Sequence, residues 1–121
     1  MLTRRIMLAG LAALAAGPAR AAPGLRLLMV RRRGCAYCAQ WDREIGPLYA
    51  QSPEGRAAPL LAVDRDGPFP DGLALARRPW LTPGFILLQD GIEVTRLEGY
   101  PGRDRFFAVL RDMIALARAP G

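Results

Sequence analysis

The chain has 121 residues, about half of them apolar, which suits one small domain with a packed core. All 17 basic residues are arginine, set against 11 acidic ones, and there is no histidine. The missing histidine removes the usual general base and the commonest metal ligand. The formal charge of +6 falls to +3 when the three arginines of the first 21 residues are set aside. That is too small an excess for a nucleic-acid binder, so no nucleic-acid partner is expected.

Residues 1–21 read as an export signal of the secretory or twin-arginine type. Arg4 and Arg5 make a charged start, Ile6 to Gly17 is apolar, and Ala19-Arg20-Ala21 is a small-x-small cleavage pattern. The apolar run is shorter than the roughly 20 residues of a comfortable membrane span. Thr3-Arg4-Arg5-Ile6-Met7-Leu8 also resembles a twin-arginine motif. The expected organisation is a leader at 1–21 and one domain at 22–121 that works in the periplasm, with an uncleaved anchor as the alternative.

Leu25 to Val30 is apolar on both faces apart from Arg26, the pattern of a central strand covered on both sides. Arg31-Arg32-Arg33 follows, either as a solvated loop or as cations that favour a nearby thiolate and attract an acidic partner. An amphipathic helix is predicted from about Cys35 to Tyr49, with Cys38, Trp41, Ile45, Leu48 and Tyr49 on its apolar face. Pro47 should kink or end it. Gln51 to Ala58 reads as a loop, and Pro59 to Val63 as a short buried strand ending at Asp64. Asp64 to Gly72 is turn-rich, and Leu73 to Arg78 suits one and a half turns of helix. A third strand, Phe85 to Leu88, meets the turn signal Asp90-Gly91 and then an antiparallel partner, Ile92 to Leu97. Asp104 to about Arg118 is the last helix, its buried stripe formed by Phe106, Phe107, Leu110, Met113, Ile114 and Ala117. Trp41 and Trp80 are expected to pack in the core or at its rim.

The only two cysteines, Cys35 and Cys38, stand in a C-x-x-C between the first strand and the first helix. At a helix N-terminus, unpaired backbone N–H groups and the helix dipole stabilise a thiolate and lower the thiol pKa. A bridge across so short a loop constrains the unfolded chain little, which weakens a purely structural role. Cys35 is therefore the candidate nucleophile and Cys38 its resolving partner, together a redox-active disulfide.

The element order around this motif resembles the thioredoxin fold. Three features carry the resemblance: Cys35-Ala36-Tyr37-Cys38, Thr82-Pro83 just before the third strand, and Gly99-Tyr100 after the hairpin. The resemblance implies an α/β fold with a central mixed sheet of about four strands, two parallel plus a C-terminal antiparallel hairpin, flanked by helices. It also implies a cis-proline at Pro83 beside the dithiol, and it makes Thr82, Pro83 and Tyr37 candidate substrate-binding residues. The run from Gly34 to Pro47, the run from Glu54 to Leu60, and Glu98-Gly99-Tyr100-Pro101-Gly102 resemble more narrowly the SoxS type. These are small periplasmic thioredoxins of bacterial sulfur-oxidation systems. Two departures stand out. Met29 occupies the region where such folds commonly bury a carboxylate, leaving Asp64 as a remote acid, and the Trp-Cys-Gly-Pro-Cys sequence is absent.

The expected activity is thiol–disulfide exchange without a cofactor or metal: reduction of a disulfide or sulfur-blocked cysteine on a partner protein. The resemblance suggests a sulfur-carrier protein as that partner. A membrane thiol donor would recharge the dithiol, and the protein is expected to act as a monomer. Two alternatives stay open: an oxidase or isomerase for exported proteins, and a soft-metal carrier holding copper with the help of Met29.

Overall fold

The computed structural model describes residues 24–120; the expected leader at 1–21 lies outside them. Four strands form one sheet in the order β2-β1-β3-β4, with β1 at Leu25–Arg31, β2 at Leu60–Asp64, β3 at Gly84–Gln89 and β4 at Ile92–Glu98. β1 runs parallel to β2 and antiparallel to β3, and β3 pairs antiparallel with β4. The mixed four-stranded sheet flanked by helices is the architecture expected for the fold.

β1 is central because both of its faces are apolar. Leu27 and Met29 point into the larger core cluster, whereas Leu28 and Val30 point into a smaller one on the opposite face. The larger cluster lies under α1 (Ala36–Glu44) and α4 (Arg103–Arg118), where Trp41, Tyr49, Phe85 and Phe106 meet ring against ring. Such contacts add to the burial of large apolar surface. On α4, Phe106, Leu110, Met113 and Ile114 are buried, and Phe107 and Ala117 pack partly buried beside them.

Asp90 (φ 51°) and Gly91 (φ +84°) make the β3–β4 turn, both in the left-handed region that an Asp-Gly hairpin turn requires. β4 does not alternate cleanly. Leu88 faces Glu93 while Leu87 faces Thr95, so Val94 is an extra, bulged residue. The bulge brings Glu93 and Arg96 onto one face, where they pair at 2.7 Å with side chains 8% and 7% exposed.

Several expectations are corrected. Leu73 to Arg78 forms no helix. Its backbone is taken up by the hairpin: Ala74 N–H donates to the Gly91 carbonyl, Ala76 N–H to Glu93 Oε1, and Arg96 Nη2 to the Arg77 carbonyl. Leu73 and Leu75 thereby cover the smaller core cluster with Phe69, where a helix was expected. Gln51 to Ala58 is not all loop, since Pro53–Ala57 forms a short helix, α3. Ser52 caps it by accepting from Gly55 N–H at 2.9 Å, with Pro53 in the first turn, a start signal that the reading of Pro53 and Gly55 as breakers overlooked. The first helix breaks at Ile45, and Gly46–Tyr49 forms a separate turn, α2, as Pro47 requires. Leu48 consequently leaves the apolar face and is exposed. β2 is not a buried strand. It is an edge, and of its five residues only Val63 is buried.

Candidate active site

The site forms where the C-terminal end of β1 meets the N-terminus of α1. Arg31 ends β1, residues 32–34 turn, and Cys35 is the N-cap of α1. Its extended backbone (φ −81°, ψ 108°) turns Sγ back over the first helical turn, where it accepts from Cys38 N–H at 3.1 Å. One orphan donor of the helix end is thus satisfied by sulfur. Cys35 and Cys38 form a disulfide with Cα atoms 5.2 Å apart. The two are unequal in access. Cys38 is 1% exposed and belongs to the larger core, whereas Cys35 is only partly buried. The helical period sets this difference, since Cys38 lies one turn from Trp41 on the inward face.

An ion pair holds the helix against the strand end. Arg31 Nη1 and Nη2 donate to the two carboxylate oxygens of Asp42 at 2.9 and 2.6 Å. The guanidinium holds the Asp42 carboxyl below its usual range, and the Arg31 pKa rises in return. At the other end of α1, Tyr100 O–H donates to Glu44 Oε1 at 2.7 Å. Burial first, and this bond second, raise the Tyr100 pKa, while the bond lowers that of Glu44. The residue pair Gly99-Tyr100 therefore ties the hairpin exit to the C-terminal end of the active-site helix.

The Thr82–Pro83 peptide is cis, and Pro83 is buried at the start of β3. The Pro83 carbonyl accepts from Gly99 N–H at 2.8 Å, which anchors this loop to the end of β4. Val30 pairs with Gly84, so Pro83 and Cys35 lie at the same end of the sheet. Thr82 is half-buried beside Pro83, and Tyr37 stands in the first turn of α1 with 62% of its surface exposed. Met29 is fully buried beneath the site, its sulfur accepting from Arg31 Nη1 at 3.6 Å. Asp64, at the end of β2, lines a cleft together with Cys35 and accepts from Asp66 N–H.

Two large apolar side chains directly ahead of Thr82-Pro83 lie at the surface. Trp80 is not core; it is 63% exposed, and Leu81 beside it is 54% exposed. The Arg65 guanidinium lies 4.2 Å above the Trp80 ring, a cation–π contact that joins the loop after β2 to the loop before Pro83. Two large apolar side chains directly ahead of a Thr-Pro pair were the available signal.

A C-x-x-C disulfide at the mouth of a helix, over a β2-β1-β3-β4 sheet and beside a cis-proline, defines a thioredoxin-like thiol–disulfide oxidoreductase. The comparisons agree, and the chain belongs to the thioredoxin family. It is similar to the periplasmic thioredoxin SoxS from Paracoccus pantotrophus, solved in its reduced form, at 49% identity and a TM-score of 0.76. That match covers 78% of this chain and 99% of the other. More distant likenesses show the fold alone. The Edwardsiella tarda protein Trxlp is 23% identical with a TM-score of 0.52, covering 88% of this chain and 91% of its own. Fasciola hepatica thioredoxin is 17% identical with a TM-score of 0.52, covering 88% of this chain and 90% of its own. No protein-family model matches the chain, and a search of curated proteins finds no match.

Proposed function

We propose that this chain is an exported, periplasmic reductase that restores a disulfide-bonded or sulfur-blocked cysteine of a partner protein to the thiol. The unequal access of the two sulfurs carries the reading: Cys35 is reachable, while Cys38 is 1% exposed behind it. In this mechanism the Cys35 thiolate attacks the partner's sulfur and forms a mixed disulfide. Cys38 then attacks Cys35 Sγ, releases the partner's thiolate and closes the Cys35–Cys38 disulfide. Thr82 and Pro83 present a backbone edge to an extended partner segment, and Tyr37 borders the same opening. Residues 1–21 act as the export signal and 22–121 as the working domain. The 49% identity to a periplasmic thioredoxin supports the location. The SoxS-type motifs favour a sulfur-carrier protein as partner, with a membrane thiol donor to recharge the dithiol.

The experiment is a trapping assay with a potential measurement. Cys38→Ser should accumulate the mixed disulfide with a protein substrate, and Cys35→Ser should neither trap nor turn over. Retained exchange in Cys35→Ser would refute the assignment. A reduction potential near thioredoxin's, about −270 mV, fits a reductase, and a value near about −120 mV fits an oxidase instead. The oxidase reading keeps one observation in its favour: Arg32 and Arg33 are exposed beside Cys35, and cations that stabilise a thiolate make the disulfide more oxidising.

A further inference from the structure

Beside Cys35 lies an open cleft of about 690 Å³, lined by Arg31, Arg32, Arg33, Ala36, Asp64 and Cys35 itself. Three arginines thus meet one carboxylate in the lining. The Arg31 charge is directed at Asp42 by two hydrogen bonds. Among the described residues Arg32 and Arg33 take part in no ion pair, and both are exposed. Ala36, on the helix side of the cleft, has only a methyl side chain and leaves room against the accessible sulfur.

We propose that this cleft is an anion subsite for the group that leaves sulfur, and that the substrate class it selects is the cysteine S-sulfonate, R–S–SO3−. The proposal rests on the reductase reading above. The Cys35 thiolate attacks the cysteine sulfur of R–S–SO3−; the new S–S bond joins Cys35 to R, and the broken S–S bond releases sulfite, SO3 2−. Cys38 thiolate then attacks Cys35 Sγ and releases R–S−. The two electrons come from the dithiol, which ends as the Cys35–Cys38 disulfide. A sulfonate carries one negative charge in the ground state and leaves as a dianion. Cations beside the attacked bond therefore meet more charge in the transition state than in the bound substrate, which is the condition for acceleration rather than mere binding. A neutral disulfide places no such dianion in the cleft.

The test compares two small probes in single-turnover reactions of the reduced protein: S-sulfocysteine, with sulfite release measured, and 2-hydroxyethyl disulfide, which is neutral. The Cys35 pKa is read for each variant from thiolate absorbance. In the R32Q/R33Q double variant the ratio of the two second-order rate constants, S-sulfocysteine over hydroxyethyl disulfide, should fall about tenfold, as expected when two exposed charge interactions are lost. Added salt should lower the wild-type ratio and leave the variant's ratio nearly flat. If both probes slow by the same factor with a raised Cys35 pKa, the arginines act on the thiolate alone and the subsite is overturned. If the wild type reduces hydroxyethyl disulfide but releases no sulfite, the subsite fails while the reductase reading stands. If it reduces neither, the reductase reading itself fails.

Discussion

Trp41 offers the sharpest test of how this small core is held. It packs against Tyr49, Phe85 and Phe106 with ring centroids 5.9–6.0 Å apart, one turn beyond Cys38, and is 3% exposed. A Trp side chain buries about 150–250 Å², worth roughly 4–6 kcal/mol at about 25 cal/mol per Å². Trp41→Ala should therefore cost about 3–5 kcal/mol, the range for aromatic truncation in a core. The indole N–H, however, is buried and has no hydrogen-bond partner among the described residues. Such an orphan donor costs about 1–3 kcal/mol. Trp41→Phe keeps most of the ring contact, gives up roughly 1 kcal/mol of apolar burial and removes the orphan. The relief of the orphan at least balances the lost burial, so Trp41→Phe should leave stability unchanged or raise it by up to about 2 kcal/mol. Urea unfolding of the oxidised protein, followed by far-ultraviolet circular dichroism, measures both variants. A Trp41→Phe cost as large as that of Trp41→Ala would refute the reasoning, because it would mean that the N–H is satisfied or the ring irreplaceable.

Three further predictions follow from single sites. A Cβ at the buried Gly55 would be driven into the Tyr49 carbonyl, so Gly55→Ala should lower stability by more than about 2 kcal/mol; a thermal midpoint near the wild type would contradict the packing of α3 on α2. The hydrogen bond from Arg96 holds the Glu93 carboxyl below its usual range, so its contribution is present above the unfolded pKa of about 4.3 and is lost as pH falls through the folded value. The stability difference between wild type and Glu93→Gln should thus be flat above about pH 6 and shrink below about pH 4; a difference independent of pH would sink the pairing argument. Trp80→Ala should raise KM for a protein disulfide such as insulin about five- to thirtyfold, and by a larger factor than for 2-hydroxyethyl disulfide. An equal change on both substrates would show that the exposed Trp80 ring does not touch the protein substrate.

Much of the architecture was legible before any coordinates. The both-faces-apolar run of β1, the Asp90-Gly91 turn and the stripe on α4 each carry a period or a turn chemistry that local rules decode. The expectations that failed have separate causes. Leu73 to Arg78 has a composition that permits helix, yet the bulge at Val94 turns Glu93 and Arg96 toward its backbone and takes those polar groups first. In the stretch from Pro53 to Ala57 the breaker residues mask a local start signal, Ser52 ahead of Pro53. The hydrophobicity of Trp80 carries no information about the guanidinium that reaches it from the loop after β2.

For the site, local pattern alone fixes the two sulfur atoms and their unequal exposure. Spacing on a helix decides that Cys38 shares a face with Trp41 while Cys35 caps the end, and this needs no distant residue. What surrounds the accessible sulfur depends on long-range packing. Pro83 reaches the same end of the sheet because β3 returns antiparallel beside β1. Asp64 reaches the cleft because β2 runs parallel to β1 and ends level with Arg31. Asp42 takes the Arg31 charge only because α1 folds back over the strand end. Each of these depends on contacts between residues remote in the chain, and local propensity carries no information about which remote groups the sheet order will bring together.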